Sequence, residues 1–397
     1  MPKPIKVLIL APYPKGDRGG AEVMLGYMEK ILTELGGSVT IRTWNDSDTS
    51  GLRACLSQMA PLMASLIRTK DLPGYPKFSD FDFILSTELM GIGVHHPRHL
   101  HLFLGSYAGF RSKAVRPRGT LHRLINMVLI RVSAILERKA GGTLGALANS
   151  ESLRDQLESF GVRVHPDTIM PPTDTERFTF GHQGDARRRL GLQLTSKLAL
   201  FAGRWEYAKG MDRMEAIASM LPAGWQLLVA TPKPFGFHRD NRPEILFRFD
   251  TAHADMPDLY RSADVLLLPS RFEGYPQVIS EAQACGCPVV TCVEGPTRLL
   301  KQAGPPLSLG VVNSPDDPRN WVAAVEAISH PDVYPTVRNL SRAFVEKTSS
   351  LPVVLRQYHD LLSKLCSDLP WQYPTRDFGL VPESGKPCNK LDSGDLA

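Results

Sequence analysis

The sequence predicts an α/β protein made of two doubly wound domains. Two observations carry this: short apolar runs bounded by turn residues alternate with longer helical patterns, and the alternation occurs twice with a polar interruption between. In the first half the runs are residues 5–10, 39–44 and 81–86; in the second they are 198–202, 225–230, 265–269 and 288–292. Strands buried on both faces of a parallel sheet read as continuous apolar runs, and the helices between them must cover both faces. The interruption surrounds residues 171–191, where PPTDTERF precedes the polar, Arg-rich stretch 185–189. This places a first domain at 1–172, a linker at 173–190 and a second domain at 191–367. The last helical pattern, 352–365, is followed by a tail, 368–397, rich in Pro, Gly, Ser and charge and expected to be disordered.

The chain has 397 residues, 43% hydrophobic and 22% charged, which suffices to bury two cores and excludes disorder for the bulk. Its 46 basic and 41 acidic residues leave a formal charge of +5, scattered rather than gathered, so nucleic acid is not required. Cys55, Cys285, Cys287, Cys292, Cys366 and Cys388 lack paired metal spacing, which points to a reducing compartment. The short apolar stretch at the start runs into prolines instead of a cleavage site, so no export signal is expected. The longest apolar candidate, 121–136, is broken by Arg123 and Arg131, so any membrane contact is expected to be peripheral.

Three loops carry the candidate chemistry. After the first apolar run, Gly19 and Gly20 stand directly before an amphipathic helix pattern. Glycines there let the backbone approach a ligand, and helix-terminal amides favour an anion; a plain flexible turn fits the same residues. There is no GxGxxG after this run and no GxxxxGK[ST] anywhere, which disfavours dinucleotide oxidoreductases and P-loop enzymes. The second half opens the same way, with Gly203 and Arg204, then Lys209 and Gly210, before a helix pattern. Arg and Lys five residues apart on such a loop can converge on a diphosphate, the Arg as a planar fork and the Lys as a point charge. The third segment, ADVLLLPSRFEGYPQVISEAQACGCPVV, runs from a buried strand into a loop carrying Glu273, then a helix starting near Pro276 with Glu281 about one turn inside. Two carboxylates flanking one helix N-terminus would repel phosphate, but they suit the hydroxyl groups of a sugar or ribose.

Glu273 and Glu281, with seven residues between them, resemble the nucleotide-sugar signature of GT-B retaining glycosyltransferases of family 4, the group 1 glycosyl transferases. GGAE at 19–22, ANS at 148–150, PPTDTERF at 171–178, GRWEYAKG at 203–210 and DLYRSADVLLLPS at 258–270 fall in that family's order, and the likeness covers roughly residues 5–365. It implies two Rossmann-like domains facing across a cleft, the first on the acceptor side and the second holding the donor. It also implies that Glu281 binds the donor's ribose hydroxyls, that Glu273 faces the transferred sugar, and that Arg204 and Lys209 neutralise the diphosphate. Gly203, Gly274, Tyr275, Gln277 and Val278 would line the donor site, with Gly19 and Gly20 approaching the donor phosphate from the other domain. In that family retention is commonly described as same-face attack, with the leaving phosphate oxygen helping to deprotonate the acceptor, so no protein nucleophile is needed. Many relatives carry a His after a strand of the first domain; in HLHLFLGSYAGF, Gly105 stands at that position and His101 is the other candidate.

Other signals are set aside. His95, His96, His99 and His101 are dense enough to suggest a metal, but Pro97 argues against a regular helix and a solvated loop is expected. The Asp46/Asp48 and Asp80/Asp82 pairs imitate the metal-binding DxD of a different glycosyltransferase fold, and no metal or cofactor is expected. Cys285 and Cys287 read as small buried hydrophobes, and the basic stretch Arg111, Lys113, Arg116, Arg118, Arg123, Arg131, Arg138, Lys139 reads as a surface helix that could touch anionic lipid or an acceptor. The expectation is a retaining, metal-independent glycosyltransferase using a nucleoside diphosphate sugar and a glycan, lipid-linked or small-molecule acceptor. The alternatives are a sugar-nucleotide epimerase of the same architecture or a non-catalytic sugar-nucleotide-binding protein. A cytoplasmic location is expected, with or without peripheral contact at the inner face of a membrane.

Overall fold

A computed structural model describes residues 3–12, 16, 19–43, 76–116, 119–233 and 244–373. The described residues divide into two units by their internal contacts: those up to Pro172 together with the segment from Val354, and Thr173–Val353.

The first unit is built on a six-stranded parallel sheet, in the order β2-β1-β3-β4-β5-β6. Its strands are β1 (Ile5–Ala11), β2 (Gly37–Thr43), β3 (Phe83–Thr87), β4 (His99–Phe103), β5 (Ala146–Ala148) and β6 (Val164–Thr168). The helices between them are α1 (Gly20–Glu34), α2 (Tyr107–Lys113), α3 (Thr120–Ala140) and α4 (Glu151–Ser159). Helix α1 buries Met24, Leu25, Met28, Ile31 and Leu32, the i, i+1, i+4, i+7, i+8 stripe of an amphipathic helix. Each such side chain stabilises the unit by about 1.5–3 kcal/mol relative to exposure. Chain order puts β2 on one side of β1 and β3 on the other, so the crevice outside the ends of β1 and β3 is a topological switch point.

The second unit repeats the plan with five parallel strands in the order β11-β10-β7-β8-β9. They are β7 (Lys197–Ala202), β8 (Trp225–Thr231), β9 (Ile245–Phe249), β10 (Val265–Leu268) and β11 (Val289–Thr291). Around them lie α5 (Gln183–Leu190), α6 (Met211–Ala218), α7 (Met256–Ser262), α8 (Gln277–Ala284), α9 (Glu294–Ala303), α10 (Pro318–Ile328) and α11 (Tyr334–Thr348). Here β8 and β9 follow β7 on one side and β10 and β11 lie on the other, so the switch point lies between β7 and β10.

Three expectations are corrected. The segment expected to be a linker, 173–190, folds into the second unit: Phe178 is fully buried, and the buried Arg187 of α5 pairs with Asp264 at 2.8 Å and donates to Ser262 O at 2.9 Å. Its Arg-rich composition reads as polar because the carboxylate that neutralises Arg187, Asp264, lies more than 70 residues away. The closing helix α12 (Leu351–Leu365) buries Val354, Leu355, Tyr358, Leu361 and Leu362, and from Val354 onward the chain belongs to the first unit rather than the second. An amphipathic pattern shows that a face is buried, not in which core. Of the tail expected to be disordered from 368, residues 368–373 are packed: Trp371 meets Phe83 edge-on at 5.5 Å, and Gln372 N donates to Leu35 O at 3.0 Å. Residues 374–397 lie outside the described residues.

The histidine-rich stretch is also no solvated loop. HLHLF is β4, and His99 Nε2 and His101 Nδ1 each lie 2.7 Å from Ser86 Oγ on neighbouring β3. The spacing of two residues puts both rings on one sheet face, where one hydroxyl serves both. Burial pushes His99 down to about 4 and His101 well below the usual imidazole value, so both are neutral. Among the described residues no group of His, Cys, Asp and Glu could hold a metal ion.

Candidate functional site

Lys209, Glu273 and Glu281 lie on the loops and helix that follow β7 and β10, at the switch point of the second unit. Because β7 and β10 are adjacent and parallel, the loops that leave their C-terminal ends lie side by side. Several bonds fix one loop to the other. Arg271 N donates to Ala208 O at 2.9 Å, Arg213 Nη1 to Pro269 O at 3.0 Å and Arg271 Nη1 to Tyr207 O at 2.6 Å. The Arg271 guanidinium also forks onto Asp212 with two bonds of 2.8 Å and lies 3.6 Å from the centre of the Tyr207 ring. Gly210 makes the approach possible: its φ is +83°, and a Cβ there would sit 2.4 Å from Pro269 O.

On this platform Lys209, in a single 3₁₀ turn (Tyr207–Lys209), places Nζ 2.6 Å from Glu273 Oε1, with side-chain exposures of 23% and 13%. The pair is half-buried and remains open to solvent on one side. Glu281, in the second turn of α8, is buried to 9%; Tyr260 OH donates to its Oε2 at 2.7 Å, and His253 Nε2 lies 3.6 Å from Oε1. Burial and the Glu281 charge push the Tyr260 hydroxyl well above its usual range, so it remains a donor. A carboxylate has about four acceptor positions, so Glu281 keeps capacity for further hydroxyl groups. Helix α8 begins after Pro276 with no side-chain cap, and the buried Nε2 of Gln277 in its first turn has no hydrogen-bond partner among the described residues. Such an orphaned buried donor fits an acceptor oxygen supplied by a ligand.

Not every predicted residue joins this cluster. Arg204 is 66% exposed and pairs with Glu206 at 3.2 Å; no hydrogen bond or ion pair joins it to Lys209, Glu273 or Glu281. Gly203, at φ +154°, turns the chain out of β7. Tyr275 is buried, with Ser280 Oγ donating to its hydroxyl at 3.4 Å, and Val278 packs on the core, so these two offer a ligand their backbone only. Gly274 lies in the loop between Glu273 and α8. Gly19 caps α1 in an extended conformation and Gly20 is its first residue, at the switch point of the first sheet. Residues 13–15 and 17–18 of that loop lie outside the described residues.

The profile of the family described as glycosyl transferases group 1 matches residues 196–330. A D-inositol 3-phosphate glycosyltransferase of Xylanimonas cellulosilytica is 26% identical over 79% of this chain and 84% of its own length. Another, of Catenulispora acidiphila, is 33% identical, with the match spanning about half of each chain, 46% and 48%. The chain is a glycosyltransferase, similar over residues 196–330 to the group 1 glycosyl transferases.

Solved structures place the transferase in the GT-B fold. Sucrose-phosphate synthase from Thermosynechococcus elongatus superposes with a TM-score of 0.69 at 18% identity, over 92% of this chain and all (100%) of that one. Anabaena HepE in complex with UDP-glucose superposes with a TM-score of 0.63 at 17% identity, over 91% and 100%.

Inside the transferase, Tyr260 and His253 hold Glu281, a role the sequence does not reveal. Tyr260 falls within DLYRSADVLLLPS, whereas His253 carries no local signal. The first unit holds a further unforeseen group. His101, the candidate for the family's histidine, is sealed inside the sheet against Ser86. Glu88 sits at the end of β3 in the left-handed region (φ +55°), lining a narrow pocket with Ala11, Met24, Thr87 and Leu104. Loss of hydration pushes its carboxyl up to about 7. Behind it Glu137 accepts from Tyr107 N at 2.5 Å and Ser106 Oγ at 3.2 Å at the start of α2, and burial, with Glu88 adding repulsion, pushes it up to about 7 as well. In the folded chain Glu137 keeps its proton up to about pH 7, whereas unfolded it ionises near 4.5. The stability it lends is therefore full below pH 4.5 and is lost progressively as pH rises to about 7. Glu137→Gln has no charge to bury, so it should gain on the unaltered chain by up to about 3 kcal/mol across that window and no further above it. Denaturant unfolding of both proteins at a series of pH values checks this, and a gap that does not change with pH contradicts it.

Proposed function

We propose that this transferase moves a sugar from a nucleoside diphosphate donor to a glycan, lipid-linked or small-molecule acceptor with retained anomeric configuration. The observation that carries the reading is the arrangement at one switch point: a cation at a half-buried carboxylate, an uncapped helix start with an orphaned amide donor, and a second carboxylate held ready by Tyr260. As the glycosidic bond breaks, negative charge grows on the diphosphate and positive charge on the sugar ring. Lys209 and the α8 amides answer the former, with Arg204 swinging in from solvent, and Glu273 faces the latter. Glu281 takes the ribose hydroxyls. The leaving phosphate oxygen receives the acceptor proton on the face it departs from, so neither a protein nucleophile nor a metal or other cofactor enters the scheme. HepE is solved with UDP-glucose, which makes UDP-sugars the first donors to test. Relatives named D-inositol 3-phosphate glycosyltransferase make a phosphorylated cyclitol the first small-molecule acceptor to test. Lipid-linked acceptors and work at the inner face of a membrane belong to this reading as well.

Product analysis tests it. With an α-linked UDP-sugar, release of UDP should depend on acceptor, and NMR of the product should show an α linkage. A changed sugar with no acceptor present would identify an epimerase instead. Donor binding without turnover against any acceptor would identify a binding protein.

A further inference from the structure

Helix α3 is apolar on the wrong side as well as the right one. It turns Asn126, Ser133, Ala134, Leu136, Glu137 and Ala140 to the protein interior, while Leu121, Leu124, Ile125, Val128 and Ile135 stand outside with exposures of 72, 56, 49, 60 and 42%. A helix of a water-soluble surface keeps its outward face polar. These five residues follow an i, i+3, i+4, i+7, i+14 spacing and so form one continuous aliphatic ridge. Arg131 lies three residues after Val128 and four before Ile135, and Lys139 a further four on, so exposed cations extend along the same ridge. Between Tyr107 and Gly142 the only acidic residue is Glu137, which is buried.

We propose that this face of α3 docks the enzyme onto an anionic lipid surface. A long helix with an aliphatic ridge and a basic flank lies in the plane of the headgroups, its aliphatic residues below them and its Arg and Lys among the phosphates. It does not span the bilayer, since no described helix is long and apolar enough to do so. A second copy of the chain is the poorer occupant, because a twofold contact would set this uniformly basic face against itself. The connectivity gives the docking a purpose. Strands β4 and β5 are parallel, so the chain leaves β4 at the C-terminal edge of the sheet and must return to the opposite edge through α3. At about 31 Å, α3 is nearly twice the length of five-residue β4, about 17 Å, so the half bearing Leu121 to Val128 lies at the C-terminal edge. That edge also carries Glu88 and the first unit's switch point. Docking would hold it at the lipid surface, where a lipid-linked acceptor is met; this last step rests on the transfer reading, while the docking itself does not.

Co-sedimentation of the full chain with vesicles of phosphatidylcholine, alone or mixed with phosphatidylserine, tests the proposal. The unaltered chain should bind the mixed vesicles and bind phosphatidylcholine far more weakly. The double variant Leu124→Ser/Val128→Ser should bind the mixed vesicles at least tenfold more weakly. Failure of the unaltered chain to bind, or equal binding by the variant, overturns the proposal. So does a lipid-free dimer that the variant dissociates with no vesicle binding by either protein. Thermal stabilisation by a UDP-sugar, read in the same samples, reports the donor site separately: its absence counts against the transfer reading and leaves the vesicle result standing.

Discussion

Replacing Lys209 with Ala should lower turnover by about 10²- to 10³-fold, the loss typical when one charge-stabilising donor is removed from a transition state. The ammonium is positioned before any donor arrives, 2.6 Å from Glu273, on a turn clamped by Arg271 and by the close approach of Gly210 to Pro269. Its removal does two things. The diphosphate loses a point charge where its negative charge grows, and Glu273 becomes an uncompensated carboxylate, 13% exposed, beside that same charge. The loss should therefore fall mainly on kcat, with a smaller rise in KM, because the interaction strengthens as the bond to the diphosphate breaks. Arg204→Ala should cost less, since the Arg204 side chain is 66% exposed and must pay ordering entropy to reach the donor. Steady-state kinetics with saturating acceptor distinguishes the two, and a Lys209→Ala enzyme within about threefold of the unaltered kcat contradicts the role assigned to Lys209.

What could be read in the sequence was local. Strands β1, β3, β7, β8 and β10 are apolar along nearly their whole length because both sheet faces are covered, and the loops that follow β7 and β10 carry Lys209, Glu273 and Glu281 within short, contiguous motifs. What could not be read depends on distant partners. Strand β4 looked like a loop because its histidines are polar until Ser86 is placed beside them. The supposed linker hid Phe178, and its Arg187 finds Asp264 only in the folded unit. The helical pattern of α12 was plain, yet nothing in it says that its apolar stripe serves the first unit. Tyr260 and His253 reach Glu281 from a different loop and helix, a contact with no sequence spacing to betray it. The ridge on α3 was visible as a basic amphipathic stretch, but which face points outward is decided by packing.

Glu281→Ala should weaken binding of a UDP-sugar by about 10- to 150-fold, the range of 1.5–3 kcal/mol for hydrogen bonds to a charged group. The carboxylate is held by Tyr260 OH at 2.7 Å and is nearly enclosed at 9% exposure, so the ribose hydroxyls meet an acceptor already in place. Removing it also leaves the Tyr260 hydroxyl, which is fully buried, without its partner, so a moderate fall in melting temperature should accompany the loss. Glu281→Gln separates the two effects, because it keeps an acceptor for Tyr260 while discarding the charge. Isothermal titration of UDP-glucose into the unaltered chain, Glu281→Gln and Glu281→Ala, each first shown to be folded, is the most direct trial of the site. Binding that weakens in that order, with Glu281→Ala at least tenfold down, is the expected result. Equal affinity in all three proteins would place the nucleotide elsewhere and contradict the account.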